Sequence, residues 1–316
     1  MYRIGIDLGG TNIVVGIVTD QGEIVAKTSF PTLAAGRTGE EIVRLMAQKS
    51  IDIIKENNLT EDQFRSIGIG TPGVSDSANG VLIYTVNLPF VHTSFRDIFK
   101  EYTTLPMYIN NDANCAALGE IVAGGAKGYK HCIMITLGTG VGGGIIIDGK
   151  IVSGFNHAAG ELGHMVTHKG GELCNCGRRG CFERYASATA IIRATKLAAK
   201  FHPESVINEL CGGDYNKIDA KTAFEAKRQG DLIGTEIVET YIRDLGEGVI
   251  NFINIFQPEV LLIGGGVSHE GEYLLAPLRE YVFKYTYANE HIPQTRIERA
   301  LLGNDAGLIG AAMLDE

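Results

Sequence analysis

Three cysteines stand close together in the segment CNCGRRGC, at Cys174, Cys176 and Cys181. Cys174 and Cys176 flank a single residue, a separation too short for an unstrained disulfide between them. Zn²⁺ favours four tetrahedral ligands of the sulfur and nitrogen type, so three thiolates need one more ligand. His164 lies ten residues before Cys174 and can supply it. A closed shell of this kind leaves no position for a reactive water, so the spacing predicts a structural zinc ion.

Two glycine-rich turns could hold phosphate groups. They are DLGGT at 7–11 and GTGVGGG at 138–144. Glycine lets the backbone approach a ligand closely and turn its N–H groups toward an anion. An aspartate at a strand end beside such a turn could hold Mg²⁺ through water, because a hard cation prefers oxygen ligands. The predicted phosphate-site residues are Asp7 (also the Mg²⁺ candidate), Gly9, Gly10, Thr11, Gly138, Thr139 and Gly140. The alternative, two ordinary hairpin turns, is disfavoured because the turns occur in similar contexts.

A third run, Gly264-Gly265-Gly266, follows the apolar segment EVLLI. It could let an adenine or ribose lie against the backbone, or it could be a tight strand-to-helix turn. GTGVGG at 138–143 also matches the dinucleotide fingerprint, but that motif must open a helix, and the following GIIIDGKIV is typical of a strand. The sequence contains no G-x-x-x-x-G-K-[ST] motif either, so neither a Rossmann site nor a P-loop is predicted.

Strands and helices must position these residues. Three β-branched segments at 2–7, 12–18 and 22–28 predict consecutive strands, and apolar periodicity predicts a helix at 39–57. Further strands are predicted at 66–70, 81–84, 107–110, 131–136, 144–147, 149–152 and 259–264, and further helices at 113–123, 186–201, 219–228, 231–256 and 306–314.

The two halves of the chain resemble each other. IGIDLGGTNIVVGIVTDQGEI at 4–24 aligns with IMITLGTGVGGGIIIDGKI at 133–151, and such a repeat indicates two related domains. We expect a small N-terminal α/β domain at 1–115, with the C-terminal helix of 304–316 packing back on it. A larger α/β domain with the zinc loop is expected at 116–303.

Composition excludes several classes. The chain has 316 residues, 45% hydrophobic and 21% charged, which is enough to bury a sizeable core. The net charge of −9 argues against a nucleic-acid binder. We find no signal peptide and no run of ~18 apolar residues, so we expect a cytoplasmic protein with reduced thiols and no membrane partner. The isolated Cys115, Cys132 and Cys211 are expected to be small core residues.

Seven motifs, in order and spanning most of the chain, resemble those of the ROK family of repressors, uncharacterised frames and sugar kinases. The thiol motif C-x-C-G-x-x-G-C-x-E, Cys174 to Glu183 here, is most similar to that of the family's glucokinases. The motifs are DLGGT (7–11), GTPG (70–73), NDAN (111–114), LGTGVGGG (137–144), AGELGH (159–164), CNCGRRGCFE (174–183) and IGGG (263–266).

The resemblance implies a two-domain actin-like (ribonuclease H-like) sugar-kinase fold with an interdomain cleft. It implies ATP-dependent phosphorylation of a hexose at the 6-hydroxyl, with glucose as the expected substrate, Mg²⁺ as a cofactor and a homodimer or homotetramer. From the residues alone, Asp112 in NDAN would be interpreted as a helix cap. The resemblance instead implies that Asp112 is the general base. The expected sugar-binding residues are Asn87, Asn111, Asp112, Glu161, His164 and Glu183.

Several alternatives stay open at this point. The hexose could be fructose, allose, mannose or an N-acetylhexosamine, and polyphosphate could replace ATP. Pro89-Phe90 occupies positions where many glucokinases have a variable residue and a tryptophan, which could alter the pocket wall. A sugar-responsive repressor is disfavoured, because such proteins carry a helix-turn-helix domain before the first phosphate turn, which here starts at residue 7. A sugar-binding protein without catalysis is a further alternative.

Overall fold

The computed structural model describes residues 1–315; residue 316, the last of the predicted C-terminal segment 304–316, lies outside the described residues. The strands are β1 (Tyr2–Leu8), β2 (Asn12–Thr19), β3 (Ile24–Pro31), β4 (Phe64–Thr71), β5 (Val74–Asp76), β6 (Val81–Tyr84), β7 (Val91–Ser94), β8 (Met107–Asn111), β9 (Cys132–Leu137), β10 (Val141–Ile147), β11 (Lys150–Ile151), β12 (Val260–Gly264) and β13 (Arg296–Arg299). The α-helices are α1 (Gly39–Glu56), α2 (Phe95–Phe99), α3 (Asp112–Ala123), α4 (Glu183–Ala186), α5 (Ala188–Phe201), α6 (Val206–Leu210), α7 (Thr222–Arg228), α8 (Leu232–Phe256), α9 (Glu272–Tyr285) and α10 (Ala306–Ala312).

Two five-stranded sheets repeat one topology. The first has the order β3-β2-β1-β4-β8 and the second β11-β10-β9-β12-β13, so each places its first strand at the centre. In the first sheet, β1 runs antiparallel to β2 and parallel to β4, and β4 is parallel to β8. A separate three-stranded sheet has the order β5-β6-β7. The shared order agrees with the internal repeat expected from the sequence.

The chain forms two compact units. The first comprises residues 1–132, 144–160 and those from 301 onward, and the second comprises 133–143 and 161–300. These bounds differ from the predicted domains, which were 1–115 with the segment 304–316, and 116–303. Helix α3 belongs to the first unit because it packs closely on α10, and the carbonyl of Cys115 lies 1.6 Å from where a Cβ on Gly310 would be. No linker-like composition marks these crossings in the sequence.

Glycines bring α10 into contact with the first sheet. One face of β1, with Ile4, Ile6 and Leu8, is buried in the apolar core with residues of α1. On the other face, a Cβ on Gly5 would lie 2.2 Å from the carbonyl oxygen of Leu308, and one on Gly68 would lie 1.7 Å from that of Ala311. Larger residues would push α10 away from the sheet. The result is a close layer of sheet, α10 and α3 in the first unit.

A long helix supports the second unit. Helix α8 buries one face along most of its 25 residues. At Gly248 a Cβ would lie 2.3 Å from the ring of Phe182, so glycine makes room for that ring. Phe182 also packs edge-on against Phe252, with ring centroids 5.5 Å apart. Because Phe182 directly precedes α4, this contact fixes α4 against the core.

Two sequence predictions need correction. Strand β10 begins at Val141, not at residue 144, so the second glycine turn spans only 138–140. Glycine within this strand permits close packing, since a Cβ on Gly144 would lie 2.6 Å from the carbonyl oxygen of Ala113. Phe90 does not form a pocket wall: it is fully buried and packs on Phe95 at 5.3 Å. Among the described residues, no helix is both long and apolar enough to cross a membrane.

Candidate active site and metal centre

Asp112 is the first residue of α3, immediately after β8. The helix cap is provided by the preceding residue: the Asn111 side-chain oxygen accepts hydrogen bonds from the N–H groups of Ala113 at 2.9 Å and Asn114 at 3.3 Å. The Asn111 side-chain amide donates to the carbonyl of Gly73 at 3.2 Å. Asn111 therefore holds the start of α3 through its side-chain oxygen and ties it to the Gly73 turn through its side-chain amide. This fixes the direction in which the Asp112 side chain projects from the helix. The capping role considered for Asp112 falls mainly to its neighbour.

A second carboxylate, Asp7, lies at the same edge of the first sheet. Parallel pairing puts Asp7 opposite Gly70 in β4, and Gly70 opposite Asn110 in β8. Burial, and then the negative charge of Asp112, raise the pKa of Asp7 from 3.8 to about 6. Gly307 in α10 leaves room for this carboxyl, since a Cβ there would lie 3.2 Å from its Cγ. A carboxyl group whose pKa is raised by burial and by a second negative charge marks a site suited to a cation.

The first glycine turn is held by a hydrogen bond within its own backbone and by two hydrogen bonds from Thr32. The Gly9 N–H donates to the carbonyl of Asn12 at 3.0 Å, and the Thr32 hydroxyl donates to the carbonyl of Gly9 at 2.8 Å. The carbonyl of Thr11 accepts from the Thr32 N–H at 2.8 Å. A Cβ on Gly10 would meet no described atom within 4 Å. Packing within the chain therefore does not require glycine at position 10, which fits a backbone that faces a ligand.

Asn87 lies in an exposed loop of the first unit. The loop is anchored on either side of it, because the Thr85 hydroxyl donates to the carbonyl of Leu88 at 2.9 Å and accepts from the Leu88 N–H at 3.2 Å. The nearby turn at Gly73 has φ of 88° and approaches the carbonyl of Tyr84 so closely that a Cβ would lie 2.1 Å away. The loop with Asn87 and the turn that binds Asn111 are thus neighbours.

In the second unit, the turn at 138–140 is fixed to the helices that follow the thiol loop. The carbonyl of Gly138 accepts from the N–H of Ala188, in the first turn of α5, at 2.9 Å. The carbonyl of Thr139 accepts from the Thr189 hydroxyl at 2.8 Å. A Cβ on Gly138 would meet no described atom within 4 Å, as at Gly10 in the other turn.

The third glycine run adjoins this turn within the same unit. Gly264 ends β12, and Gly265 has φ of 79°. A Cβ on Gly265 would lie 2.6 Å from the backbone of Leu137, the residue that precedes the turn at 138–140. A Cβ on Gly266 would meet no described atom within 4 Å. The two glycine segments together present backbone without side chains on one part of the second unit.

His164, Cys174, Cys176 and Cys181 form one cluster. Their ligand atoms all lie within 4.8 Å of one another. The Sγ atoms of Cys176 and Cys181 are 3.6 Å apart, and the Sγ of Cys174 is 3.6 Å from Nδ1 of His164. A tetrahedral Zn²⁺ with bonds of about 2.3 Å to sulfur and 2.0 Å to nitrogen would require separations of about 3.8 Å and 3.5 Å. The geometry therefore fits zinc.

The thiol electrostatics also favour a cation. The backbone N–H of Arg178 lowers the pKa of the Cys176 thiol. Burial and then the neighbouring thiols raise the pKa of Cys181 to about 12. A metal ligand must be a thiolate, so a cation that binds Cys181 would displace the proton of this high-pKa thiol.

Two glutamates lie next to the cluster. Glu161 and His164 occupy one short helical turn, and Oε2 of Glu161 is 3.9 Å from Nε2 of His164, the nitrogen that points away from the thiols. Glu183 starts α4, and its Oε1 lies 3.7 Å from the Sγ of Cys174. Its Oε2 accepts from the N–H of Val141 at 3.1 Å. Glu183 therefore joins the thiol cluster to the strand that follows the second glycine turn.

Comparison with known proteins gives the family. A model described as the ROK family matches residues 3–316. The chain belongs to the ROK family. It is 37% identical over 312 residues to a glucokinase of Thermotoga maritima, covering 98% of this chain and 96% of that protein. It is 30% identical over 307 residues to a xylose repressor of Caldicellulosiruptor bescii, covering 97% of this chain and 76% of the repressor.

The solved structures agree with the predicted fold. A ROK family glucokinase from Streptomyces griseus, in complex with glucose and AMPPNP, matches with a TM-score of 0.79 and 35% identity, covering 99% of this chain and 98% of that one. The fold is thus the two-domain actin-like sugar-kinase fold, and the predictions of ROK membership and of fold class are confirmed.

Sequence reasoning missed some residues of this ROK chain that organise the site. The Asn110 side-chain oxygen accepts from the Asn111 N–H at 2.8 Å and from the Asn114 side-chain amide at 3.0 Å. Thr71, in register with Asn111 on the neighbouring strand, is fully buried, and its hydroxyl has no partner among the described atoms. Thr71 lies in the motif GTPG and Asn110 directly precedes NDAN, but only the strand register shows that they support one edge.

Proposed function

We propose that this ROK protein is an ATP-dependent hexose kinase that transfers a phosphoryl group to the 6-hydroxyl of glucose. The similarity to glucokinases over nearly the whole chain supports the reaction and the substrate. The observation that carries the proposal is the placement of Asp112, which Asn111 holds at the N-terminus of α3, beside Asp7 at the same sheet edge.

In this proposal Asp112 is the general base. It accepts the proton of the 6-hydroxyl while that oxygen bonds to the γ-phosphorus and the bond from the phosphorus to the ADP oxygen breaks. The transition state of phosphoryl transfer is loose, so the base mainly orients the attacking oxygen. The cap formed by Asn111 limits rotation of the helix start and thereby holds the carboxylate in one direction.

Asp7 and the glycine segments are proposed to hold the nucleotide. Mg²⁺ would neutralise charge on the phosphates when bound, and the carboxylate oxygens of the half-buried Asp7 are the hard ligands that it prefers. Backbone N–H groups near Gly10 and Gly138 would face the phosphates, since no packing contact fills the space beside either glycine. The run at 264–266 would lie along the adenosine.

Six residues are proposed to bind the sugar: Asn87, Asn111, Asp112, Glu161, His164 and Glu183. Carboxylates and an imidazole N–H suit sugar hydroxyls, which both donate and accept hydrogen bonds. The zinc would be structural: Nδ1 of His164 would help to hold it, and Nε2, beside Glu161, would remain free to donate to the sugar.

Other hexoses are the main alternative for the substrate, since one inverted hydroxyl changes only a few hydrogen bonds in such a pocket. A regulator is the second alternative, because a xylose repressor shares 30% identity with this chain. The higher identity to glucokinase favours catalysis. We also propose that the protein is a homo-oligomer.

An ADP-coupled assay over a panel of hexoses tests the proposal. We expect phosphorylation with glucose as the best substrate, and Asp112→Asn should lower kcat by about 10²- to 10⁴-fold, the range for loss of a general base. Asp62→Asn, at an exposed position in the same unit, is the matched control and should retain activity. If no hexose yields product above the Asp112→Asn background, the kinase assignment is wrong. Replacing ATP by polyphosphate identifies the phosphoryl donor, provided that hexose 6-phosphate is measured directly, because polyphosphate yields no ADP.

A further inference from the structure

A cavity of about 730 Å³ lies in the first unit, beside β8, the outer strand of the first sheet. Its walls come from β8, from α2 with the loop that follows it, and from residues 153–157. Small-molecule sites usually have volumes of about 300–1,000 Å³, so this cavity is large enough for one. The residues proposed to bind the sugar or the nucleotide are not among those that line it.

One side of the cavity is apolar. Phe99 and Met107 line it and are buried in the core of the first unit. Leu105 and Tyr108 also line it and are only partly buried, so they keep surface for a ligand. Tyr108 packs on a separate cluster with Leu314. This side therefore suits the apolar or aromatic body of a small molecule.

A fixed guanidinium lies on another side of the cavity. Arg96 is half-buried there, and its Nη1 donates to the carbonyl of Ala78 at 2.7 Å and its Nη2 to the carbonyl of Ser77 at 3.3 Å. In the described part of the chain, no carboxylate forms an ion pair with Arg96. The adjacent Asp97 instead accepts a hydrogen bond from the Ser94 hydroxyl at 2.8 Å. Arg96 thus keeps further N–H donors for an anion, in a position that the two carbonyls have already set.

A second cation lies close by. Lys100 follows Arg96 by four positions, at the end of α2, so the two side chains share one side of this helix. Its ion pair with Asp97, at 3.4 Å, joins two exposed side chains and is weak. Among the described residues that line the cavity, Asp315 is the only carboxylate, and it is exposed. The charge of the lining therefore favours an anion.

We propose that this cavity binds a small molecule that carries a phosphate group on an apolar or aromatic body. A planar guanidinium held in one direction matches the oxygens of a phosphate, and Lys100 adds a second positive charge. The hydroxyl of Ser77 lines the same region and can donate to a phosphate oxygen. Two cations beside one exposed carboxylate favour a phosphate dianion over a singly charged carboxylate ligand.

The cavity is connected to the start of α3 through Asn110. This side chain lines the cavity and is 7% exposed. Its amide donates to the Ser77 hydroxyl at 3.4 Å, and its oxygen accepts from the N–H of Asn111. A ligand that holds Ser77 therefore also restrains Asn110, and with it Asn111 and Asp112.

Glucose affinity should consequently rise when the cavity is occupied, because Asn111 and Asp112 are expected to contact the sugar. This coupling rests on the proposed function, whereas binding in the cavity does not. Two coupled sites typically change each other's affinity by about fivefold or more, and by the same factor in both directions. The phosphate compound should therefore lower the Kd for glucose, and glucose should lower the Kd for the phosphate compound equally.

Titration calorimetry with phenyl phosphate tests the site on the full chain. Inorganic phosphate and phenol, the two halves of the probe, should bind more weakly than the whole. Arg96→Gln and Lys100→Gln should each weaken phenyl phosphate binding, the former at least about tenfold, as expected for the loss of a charge-assisted hydrogen bond. Arg65→Gln is the matched control, because Arg65 is an exposed arginine of the same unit that does not line the cavity, and its Kd should equal that of the wild type. Lys100 is exposed, so Lys100→Gln decides the outcome if Arg96→Gln lowers the thermal midpoint.

The titration is repeated with saturating glucose and a non-hydrolysable ATP analogue. Retained binding of phenyl phosphate supports the cavity, whereas displacement by the ATP analogue would show that the probe occupies the nucleotide site and would overturn the inference. Absence of binding, or equal binding by the wild type and both cavity variants, would also overturn it. Binding that depends on Arg96 but leaves the Kd for glucose unchanged would support the cavity and overturn its coupling through Asn110. Binding of phenyl phosphate by a chain that neither binds nor phosphorylates a hexose would overturn the proposed function and leave the cavity site standing.

Discussion

Replacement of Asp7 by asparagine should make the magnesium-free protein more stable at neutral pH while removing its activity. The pKa of Asp7 rises from 3.8 to about 6 in the folded state. One pKa unit corresponds to about 1.4 kcal/mol, so an ionised Asp7 costs the folded state up to about 3 kcal/mol. Burial is the larger cause, and the charge of Asp112 is the smaller one. Asp112→Asn should therefore recover less than half of this free energy.

The direction in which stability changes with pH follows from proton binding at Asp7. Between pH 3.8 and about 6, the folded state binds more protons at Asp7 than the unfolded state does. The free energy of unfolding therefore falls as the pH rises through this window. Above about pH 6 the destabilisation of the folded state by ionised Asp7 is complete. Asp7→Asn removes the titrating group. The gain in free energy of unfolding of this variant over the wild type should be largest above pH 7 and should vanish near pH 4.

Urea unfolding without chelator, at pH 5 and pH 8, measures the difference. Asp62→Asn, an exposed aspartate, serves as the control and should change the free energy of unfolding by less than about 0.5 kcal/mol at either pH. The reasoning is refuted if Asp7→Asn lowers stability equally at both values. Mg²⁺ should stabilise the wild type but not the variant, because a ligand that binds only the folded state adds to its stability.

Three further predictions test the metal centre, the helix cap and the glycine turns. Cys176→Ser should lower the zinc content below one equivalent by metal analysis and raise KM for glucose, because the loop that positions His164 and Glu183 loses its anchor. Unchanged zinc content would contradict the ligand set. Asn111→Ala should cost about 0.5–2 kcal/mol of stability by urea unfolding, the usual value of an N-cap, and also lower kcat. Gly10→Ala should raise KM for ATP with little loss of stability in thermal melts. Gly68→Ala, which would place a Cβ 1.7 Å from a carbonyl oxygen, should instead destabilise the fold.

Local signals predicted most of the elements. The alternation of apolar residues placed β1, and periodicity placed α1 within a residue of its ends. The sequence missed α9, whose helix contains Pro277, and β13, which is only four residues long. It also placed the start of β10 too late, because three consecutive glycines resemble a loop. Gly144 serves close packing against α3, which no local pattern encodes.

Some features of the candidate site could also be predicted from local sequence, whereas others depend on the fold. The thiol spacing alone indicated a cluster, and the structure brings those four side chains together. The pairing of Asp7 with Asp112 could not be read from their separation of 105 positions in the sequence. It follows from the parallel register of β1, β4 and β8. The role of Glu183 as the link from the thiols to Val141 could not be predicted either, because the two residues meet only in the folded chain.

The return of α10 to the first sheet has a consequence for biosynthesis. Gly307 packs against Asp7, and Glu120 of α3 accepts backbone hydrogen bonds from Leu301 and Leu302 at 3.1 Å and 2.8 Å. A growing polypeptide on the ribosome lacks these residues until the second unit has been synthesised. The N-terminal strands must then wait, with one apolar face uncovered, while the second unit is made. Exposed apolar surface of this kind promotes aggregation, so mutations in α10 should reduce the yield of folded enzyme more than its melting temperature suggests.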